Sequence, residues 1–167
     1  MNLYLVRHAE PEIKSYKGFP GPSLGEKGQR QATVIAAYLK NENIQQIYTS
    51  DYKRAKETLK PFQALFPQIK IEEVKALRER ENESESHDSL VHRVHTWFDL
   101  NKETLLQSNT AIFSHCGPIN MILTYLDPNK TILDYPYEDS WGCHTPLGQI
   151  WQLKFQEGTY SGSLKLI

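Results

Sequence analysis

The sequence contains few of the features that mark secreted, membrane-bound or fibrous proteins. Only two of its 167 residues are cysteines, Cys116 and Cys143, which excludes a disulfide-dense secreted scaffold and suits two thiols in a reducing cytosol. No apolar stretch approaches the ~18 residues of a membrane span, and the apolar start at Met1 is interrupted by Arg7 before it reaches the length of a signal peptide. We therefore expect a cytoplasmic protein without a membrane partner.

The chain also lacks an excess of charge of either sign. Its 19 lysines and arginines balance 20 aspartates and glutamates, which gives a formal charge of −1 and an isoelectric point near 6.6. Nucleic acids and anionic membranes require a strongly basic face, so neither is expected as a partner and any anion site must be local. At about 150 residues per domain, residues 1–167 are predicted to form one domain.

Short apolar runs alternate with segments of helical periodicity along the chain. This order predicts an α/β protein with helices on both faces of a mostly parallel sheet, that is, a three-layer α/β/α sandwich. Pro61 lies inside a predicted helix from Tyr52 to Phe66 and is expected to kink or split it. The charged segment from Lys70 to Arg93 is typical of a solvated loop or helix face. The predicted strands are Leu3 to Val6, Ile44 to Thr49, Ile69 to Val74, Thr110 to Ser114, Leu147 to Phe155 and Leu164 to Ile167.

Charged or nucleophilic residues follow four of these predicted strands. Because ligands of open α/β sheets bind at the carboxyl ends of the strands, we expect these segments to form one site. The segments, each given with the strand residues that precede it where they adjoin, are Leu5 to Glu10, Thr49 to Ala55, Leu77 to Glu81 and Phe113 to Gly117.

Two arginines and two histidines in these segments predict a cationic pocket for a tetrahedral dianion such as phosphate. The guanidinium groups of Arg7 and Arg54 are suited to bidentate pairing with phosphate oxygens. An imidazole of His8 that is protonated on one nitrogen can attack phosphorus with the other, while His115 donates to the non-bridging oxygens. Buried structural histidines and surface ion-pair arginines are the alternative interpretation.

The leaving oxygen of a phosphate ester needs a proton donor beside this pocket. Glu79 is the favoured candidate, because the charged segment can carry it over the site and a bound anion would keep its carboxyl group protonated. Glu81 and Glu10 are the rival donors, and a solvated Glu79 is the structural alternative. The pattern therefore predicts phosphoryl-group chemistry.

These segments resemble the motifs of the histidine phosphatase superfamily, which contains cofactor-dependent phosphoglycerate mutases and many small phosphatases. Arg7 to Ala9 resembles its Arg-His-Gly signature, and Pro22 to Ala32 resembles its Leu-(Ser/Thr)-x-x-Gly-x-x-Gln-Ala helix start. Thr49 to Thr58 is similar to its Ser-x-x-x-Arg-Ala-x-x-Thr pattern, and Leu77 to Arg80 to its Leu-x-Glu segment. Ser114 to Gly117 stands where the family has its second histidine. The resemblance covers nearly the whole chain.

The resemblance implies a phosphoglycerate mutase-like fold and assigns roles to the site residues. His8 would be the phosphorylated nucleophile and Glu79 the proton donor. Arg7, Arg54 and His115 would clamp the phosphate. We expect hydrolysis of a phosphomonoester or a phosphoramidate without a metal ion or an organic cofactor.

Two other functions are compatible with the same residues. A phosphoglycerate mutase is less favoured, because the chain lacks the enclosing insertions that mutases of the family carry. A phosphate-binding or regulatory module with poor catalysis is the rival from another class. The expected partner is a phosphorylated small molecule or a phosphohistidine on a protein.

Three positions depart from the family pattern. Lys14 stands where relatives often have an asparagine, and we expect it to contact the phosphate as a point charge, with a surface lysine as the alternative. Gly25 replaces a serine or threonine, which removes one hydroxyl contact unless Ser23 supplies it. Cys116 replaces a small residue, and its backbone N–H can still point at the phosphate from a helix start. An inert buried thiol is favoured over an oxidation-prone one at this cysteine.

Other candidate sites are less favoured. His92 and His95 lie three residues apart on a predicted helix, but no cysteine or carboxylate stands at zinc-ligand spacing, so solvated histidines are the preferred interpretation. Aromatic residues after the His115 helix favour a lid or a small satellite core, with contact at the pocket rim as an alternative. These aromatic residues are Tyr135, Tyr137 and Trp141.

Overall fold

The computed structural model describes residues 1–12, 18–80, 84–127, 137 and 143–166, with side chains up to residue 161. Six strands and four α-helices alternate within these ranges, together with a short 3-10 helix at Lys75–Leu77. The strands are β1 (Asn2–Arg7), β2 (Gln46–Thr49), β3 (Ile71–Glu73), β4 (Thr110–Ser114), β5 (Ile150–Gln156) and β6 (Thr159–Leu166). The helices are α1 (Glu26–Leu39), α2 (Lys53–Leu65), α3 (His87–Leu105) and α4 (Cys116–Leu126).

The strands form one sheet in the order β3-β2-β4-β1-β5-β6. β3, β2, β4 and β1 run parallel, whereas β5 pairs antiparallel with both β1 and β6. This confirms the predicted mostly parallel sheet. Arg7 of β1 lies opposite Ser114 of β4, and Thr49 of β2 lies opposite Phe113. The chain therefore leaves these three strands at the same edge of the sheet.

Apolar side chains of β1 separate the two faces of the sheet. Leu3 and Leu5 pack into a cluster with α3 and α4, while Tyr4 and Val6 pack into a second cluster with α1 and α2. All four side chains are completely buried. A strand covered on both faces needs an unbroken apolar run, which is what the sequence has at this position. The three-layer α/β/α prediction is confirmed.

Two helix and strand predictions need correction. α2 continues through Pro61 as one helix, because the buried side chains Leu59 and Phe62 hold the segment against the core despite the lost backbone hydrogen bond. The predicted half-buried strand from Ile69 to Val74 is shorter and lies at the sheet edge with Glu72 and Glu73 exposed. Charged side chains on an edge strand discourage pairing with another chain.

β6 begins at Thr159, well before the predicted start of the last strand at Leu164. Glu157 and Gly158 both have positive φ angles, 50° and 77°, and form the two-residue turn that joins β5 to β6. None of the helices in the described ranges is both long and apolar enough to cross a lipid bilayer.

Gly28 allows α1 to lie directly against the segment that follows His8. A Cβ atom at Gly28 would come within 2.0 Å of the carbonyl oxygen of Glu10. The same segment is bound to α1 by two hydrogen bonds, from Gly25 N–H to the Glu10 carbonyl (3.1 Å) and from Glu10 N–H to the Gln31 side chain (2.8 Å). The glycine of this motif therefore determines how closely the helix approaches the His8 segment.

We predict that Gly28→Ala destabilises the protein, because the Cβ atom meets a backbone oxygen that cannot rotate away. Overpacking of this kind costs about 1–3 kcal/mol. The free energy of unfolding from urea titration measures the loss. Val34→Ala on the exposed face of the same helix is the control and should change stability little. Equal stabilities for Gly28→Ala and the parent protein would contradict this packing argument.

Candidate active site

Two histidines and two arginines meet at the carboxyl edge of the parallel strands. His8 follows β1, His115 follows β4, and Arg54 lies in the first turn of α2, which follows β2. The ring centroids of His8 and His115 are 5.0 Å apart. Arg7, His8 and Arg54 are 4%, 5% and 5% exposed, and His115 is completely buried. The structure thus brings these four side chains together at one edge of the sheet.

The ring of His8 is fixed in one tautomer by the hydrogen bonds of its two nitrogens. Nδ1 lies 2.8 Å from the carbonyl oxygen of Ala9, which can only accept, so Nδ1 carries a proton and donates it. Nε2 accepts a hydrogen bond from Nε of Arg54 at 3.1 Å. Burial, and then the charge of Arg54, lower the pKa of His8 well below its usual value. His8 is therefore neutral, with its lone pair on Nε2 inside the cationic cluster.

His115 is oriented by Ser50, the residue that follows β2. Its Nε2 lies 2.8 Å from the Ser50 hydroxyl, which also accepts a hydrogen bond from Tyr52 N–H at 3.3 Å. The Nδ1 atom of His115 is buried and has no hydrogen-bond partner among the described residues. Burial, followed by the charge of Arg54, lowers the pKa of His115 well below its usual value. Nδ1 is thus a buried polar atom whose hydrogen-bonding capacity is not used within the described residues.

Arg7 is held by a loop that the sequence did not indicate. Its Nη1 donates to the carbonyl oxygen of Thr145 at 2.5 Å. The hydroxyl of Thr145 accepts a hydrogen bond from Trp151 Nε1 at 2.6 Å, which ties this loop to β5. Because every residue has a backbone carbonyl, the sequence could not predict that Thr145 binds Arg7.

Arg54 is positioned by its own helix and by an aromatic ring. The Thr58 hydroxyl donates to the carbonyl of Arg54 at 2.7 Å and accepts from Ala9 N–H at 2.9 Å. This pair of bonds joins α2 to the segment after His8. The guanidinium carbon of Arg54 lies 4.7 Å from the centroid of the Tyr52 ring, a cation–π distance. Thr58, the threonine of the Ser-x-x-x-Arg-Ala-x-x-Thr pattern, thus holds Arg54 and the segment after His8 together.

Glu79 lies beside the first turn of α4, the helix that directly follows His115. The N–H of Gly117 donates to both carboxylate oxygens of Glu79, at 3.2 and 3.3 Å. A Cβ atom at Gly117 would come within 2.4 Å of one of them, so only glycine admits this contact. Glu79 is half-buried rather than solvated. The position agrees with the prediction that the charged segment carries Glu79 to the site.

The charged residues around Glu79 are joined to one another by hydrogen bonds. The expectation of a solvated charge run is therefore wrong for the residues that Arg93 binds. Arg93 of α3 donates to the carbonyls of Ala76 and Arg78 at 2.6 and 2.9 Å and to the Glu85 carboxylate at 2.5 and 2.8 Å. One guanidinium group thereby organises the backbone on both sides of Glu79. Paired acidic and basic residues here fix a loop instead of facing water.

Arg78 anchors the same loop to the segment that follows β2. Its guanidinium binds Asp51 through two hydrogen bonds, Nε to Oδ1 at 2.8 Å and Nη2 to Oδ2 at 2.6 Å. The Asp51 side chain is 12% exposed. The hydrogen bonds from Arg78 are the largest cause that lowers the pKa of Asp51, since they favour the ionised carboxylate.

The two cysteines form a disulfide between Cys116 and Cys143, whose Cα atoms are 6.1 Å apart. The expectations of two reduced thiols and of an inert thiol at Cys116 are therefore wrong. The bridge spans 27 positions of sequence, and only the folded chain brings the two residues within bonding reach. Cys116 begins α4, as predicted.

The remaining candidates lie apart from the cluster or outside the described residues. Glu10 is ion-paired with Lys27 at 2.6 Å on the surface, which weakens it as a rival donor. Nε2 of His95 lies 3.1 Å from the Met121 carbonyl oxygen, so this histidine packs against α4 instead of facing water. In the described part of the chain, no group of three or more His, Cys, Asp or Glu side chains is arranged to hold a metal ion. Lys14, Glu81, Tyr135 and Trp141 lie outside the described residues.

Known proteins resemble this chain both in sequence and in fold. The sequence pattern of the histidine phosphatase superfamily (branch 1) matches residues 3–84. A probable phosphatase of Schizosaccharomyces pombe is 32% identical over 83 residues, which are 48% of this chain and 40% of that protein. Phosphoserine phosphatase 1 of Hydrogenobacter thermophilus is 42% identical over 57 residues, 32% of this chain and 27% of that protein. The chain thus matches less than half the length of these relatives.

The fold is that of a phosphoglycerate mutase. The crystal structure of phosphoglycerate mutase from Bacillus anthracis superposes with a TM-score of 0.76 and 19% identity over 96% of this chain and 90% of that one. Residues 3–84, about half of the chain, thus match the histidine phosphatase superfamily, which agrees with the resemblance of the sequence motifs.

We predict that the Asp51–Arg78 pair stabilises the protein in a pH-dependent way. Because the pKa of Asp51 is lower in the folded chain than the ~3.9 of an unfolded aspartate, the contribution is complete above about pH 5 and is lost as the pH falls through the folded value. Asp51→Asn should lower the free energy of unfolding by about 2 kcal/mol at pH 7. This deficit should shrink below about pH 4.

Denaturant titrations between pH 3 and pH 7 measure this difference. Asp99→Asn, which breaks the exposed pair with Lys102, is the control and should have a smaller effect at every pH. A deficit for Asp51→Asn that stays constant across the range would show that the carboxylate charge is not the cause.

Proposed function

We propose that this protein is a phosphatase that hydrolyses a phosphomonoester or a phosphoramidate through a phosphohistidine on His8. The observation that carries the proposal is the state of His8: Ala9 fixes its proton on Nδ1, and the lone pair of Nε2 lies within a buried cluster of guanidinium groups. A nucleophile for phosphorus must be unprotonated, and an anionic substrate must be neutralised. The cluster meets both requirements.

Binding of a phosphate dianion begins the proposed reaction. Arg7, Arg54 and His115 surround its non-bridging oxygens, and the negative charge raises the proton affinity of the His115 imidazole so that it donates through Nδ1. Arg54 turns from Nε2 of His8 to the phosphate oxygens. This exchange frees the lone pair at the moment when phosphorus is in place.

The chemical steps follow from that arrangement. Nε2 of His8 forms a bond to phosphorus while the bond from phosphorus to the leaving oxygen breaks, and Glu79 supplies the proton to that oxygen. The Glu79 carboxylate then accepts a proton from a water molecule that attacks the phosphohistidine. The P–N bond breaks, the lone pair returns to His8, and inorganic phosphate leaves. The steps require no metal ion and no organic cofactor.

A polar cleft beside Glu79 is suited to the leaving group. It has a volume of about 350 Å³ and is lined by charged groups of both signs and by two serines, namely Lys75, Arg78, Arg93, Glu79, Glu85, Ser84 and Ser89. Since this lining is polar, we infer a polar leaving group. A phosphorylated small molecule and a protein phosphohistidine both meet this description.

A phosphate-binding or regulatory module is the second candidate, and one contact favours it. The Glu79 carboxylate is bound to the Gly117 backbone, so it has to leave this position or share it before it can protonate a leaving group. If Glu79 stays in place, the phosphate clamp remains and ester hydrolysis is slow. Activity measurements separate the two candidates.

We predict that the protein hydrolyses an aryl phosphate in the presence of a chelator and that His8→Ala lowers the rate about 10³-fold or more, because the nucleophile is lost. Rapid quenching followed by phosphorus NMR should detect an acid-labile phosphohistidine in the parent protein only. Activity that survives in His8→Ala would remove the nucleophile assignment, and no turnover by the folded parent would favour the binding module. Loss of activity with chelator would indicate a metal-dependent mechanism.

We predict that Glu79→Gln slows alkyl phosphates about 10²–10⁴-fold but aryl phosphates much less, because only the poorer leaving group depends on a proton donor. The ratio of kcat/KM values for the two substrates measures this. Gly117→Ala is the matched variant, since its Cβ atom displaces the carboxylate while leaving Glu79 in the chain, and it should change the ratio in the same direction. Equal losses on both substrates would count against the acid role.

A further inference from the structure

The Cys116–Cys143 disulfide joins two sides of the candidate phosphate pocket. Cys116 directly follows His115 and begins α4, while Cys143 lies on the loop that leads to β5. The Cys143 sulfur is completely buried, and Cys116 is 8% exposed. The bridge is therefore buried next to His115 and next to the loop that binds Arg7.

The Cys143 end of the bridge is connected to Arg7 by a short path. The N–H of Thr145 donates to the sulfur of Cys143 at 3.3 Å, and the carbonyl of Thr145 accepts the bond from Arg7. The same sulfur lies 3.3 Å from that carbonyl oxygen. As part of a disulfide this sulfur carries no proton, so it cannot donate a hydrogen bond to the Thr145 carbonyl oxygen that binds Arg7.

The Cys116 end of the bridge is connected to the other half of the pocket. His115 is the preceding residue, and the N–H of Gly117, the following one, binds Glu79. We propose that the disulfide is a redox-sensitive positioning site, and that Cys116 and Cys143 are positioning residues that set Arg7 and His115 at the spacing a phosphate dianion requires. This inference rests on the proposed function.

Reduction would change the pocket at both ends. A dithiol reductant attacks the sulfur of Cys116, the less deeply buried of the two cysteines, and releases Cys143 as a thiol; its second thiol then displaces Cys116. Two electrons and two protons pass to the protein, and the reductant leaves as a cyclic disulfide. The new S–H of Cys143 is a donor within reach of the Thr145 carbonyl and competes with Arg7 for it. The loop is also no longer tied to α4.

We predict that reduction weakens phosphate binding about tenfold, which is the effect of losing one hydrogen bond to a charged group. The dissociation constants of inorganic phosphate and orthovanadate are measured by calorimetry on the full chain, across a series of dithiothreitol redox buffers. KM for an aryl phosphate should rise with reduction while kcat changes less. Alkylation of free thiols should give the same midpoint potential as the change in affinity.

The chain contains no other cysteine, so the double variant Cys116→Ser/Cys143→Ser is a complete control for the reductant. It should bind phosphate as weakly as the reduced protein and ignore the redox buffer. Arg7→Met should bind phosphate weakly and depend less on the redox buffer than the parent protein does, because the Cys143 end of the bridge acts through Arg7. Circular dichroism and urea titration check that each form is folded.

Several results would overturn the inference. These are equal phosphate affinities of the oxidised and reduced proteins, a redox dependence in Arg7→Met as large as that of the parent protein, and global unfolding of both the reduced protein and the double variant. A protein that binds phosphate in a redox-dependent way but hydrolyses no phosphomonoester would retain the positioning site and lose the proposed function. A phosphatase whose phosphate affinity does not depend on the redox buffer would retain the proposed function and lose the positioning site.

Discussion

The burial of two guanidinium groups beside two imidazoles is the constraint on which the site depends. Each of these groups loses water at the end of the sheet, and the arginines cannot give up their protons. The histidines respond by remaining neutral, since a third and fourth positive charge beside the two arginines would be costly. A cluster with this balance is suited to an anion with several acceptor oxygens, such as the phosphate group of the proposed substrate.

Neighbouring carbonyls and hydroxyls hold the cluster in this state. Thr145, Ser50 and Thr58 come from three different segments, and each contributes a single polar atom to a catalytic candidate or to its backbone. Gln31 of α1 adds a further connection, because it accepts from Glu10 N–H and donates to the Leu147 carbonyl at 3.1 Å. The loops after β1 and before β5 are thereby fixed to one helix. These contacts hold the candidate catalytic side chains in fixed positions at the sheet edge.

Residue types at strand ends made much of this arrangement predictable. Arg7, His8 and His115 follow apolar runs too short for helices, and a parallel sheet brings such positions to one edge. Periodicity could not reveal the contacts made by backbone atoms, such as the Thr145 carbonyl, because any residue can make them. It also could not reveal the Cys116–Cys143 bridge, which depends on distance in the folded chain, or the persistence of α2 through Pro61, which depends on tertiary packing.

The hydrogen bond from Arg54 to Nε2 of His8 has a consequence for the selectivity of the resting protein. As long as it persists, the only lone pair of the imidazole is occupied, and a neutral electrophile that reaches the pocket meets a ring nitrogen that is already hydrogen-bonded. Phosphate oxygens are stronger acceptors for a guanidinium group than an imidazole nitrogen is, so an oxyanion can draw Arg54 away. Only an anionic molecule can therefore displace Arg54 from His8, so that access to Nε2 of His8 depends on the charge of the incoming molecule.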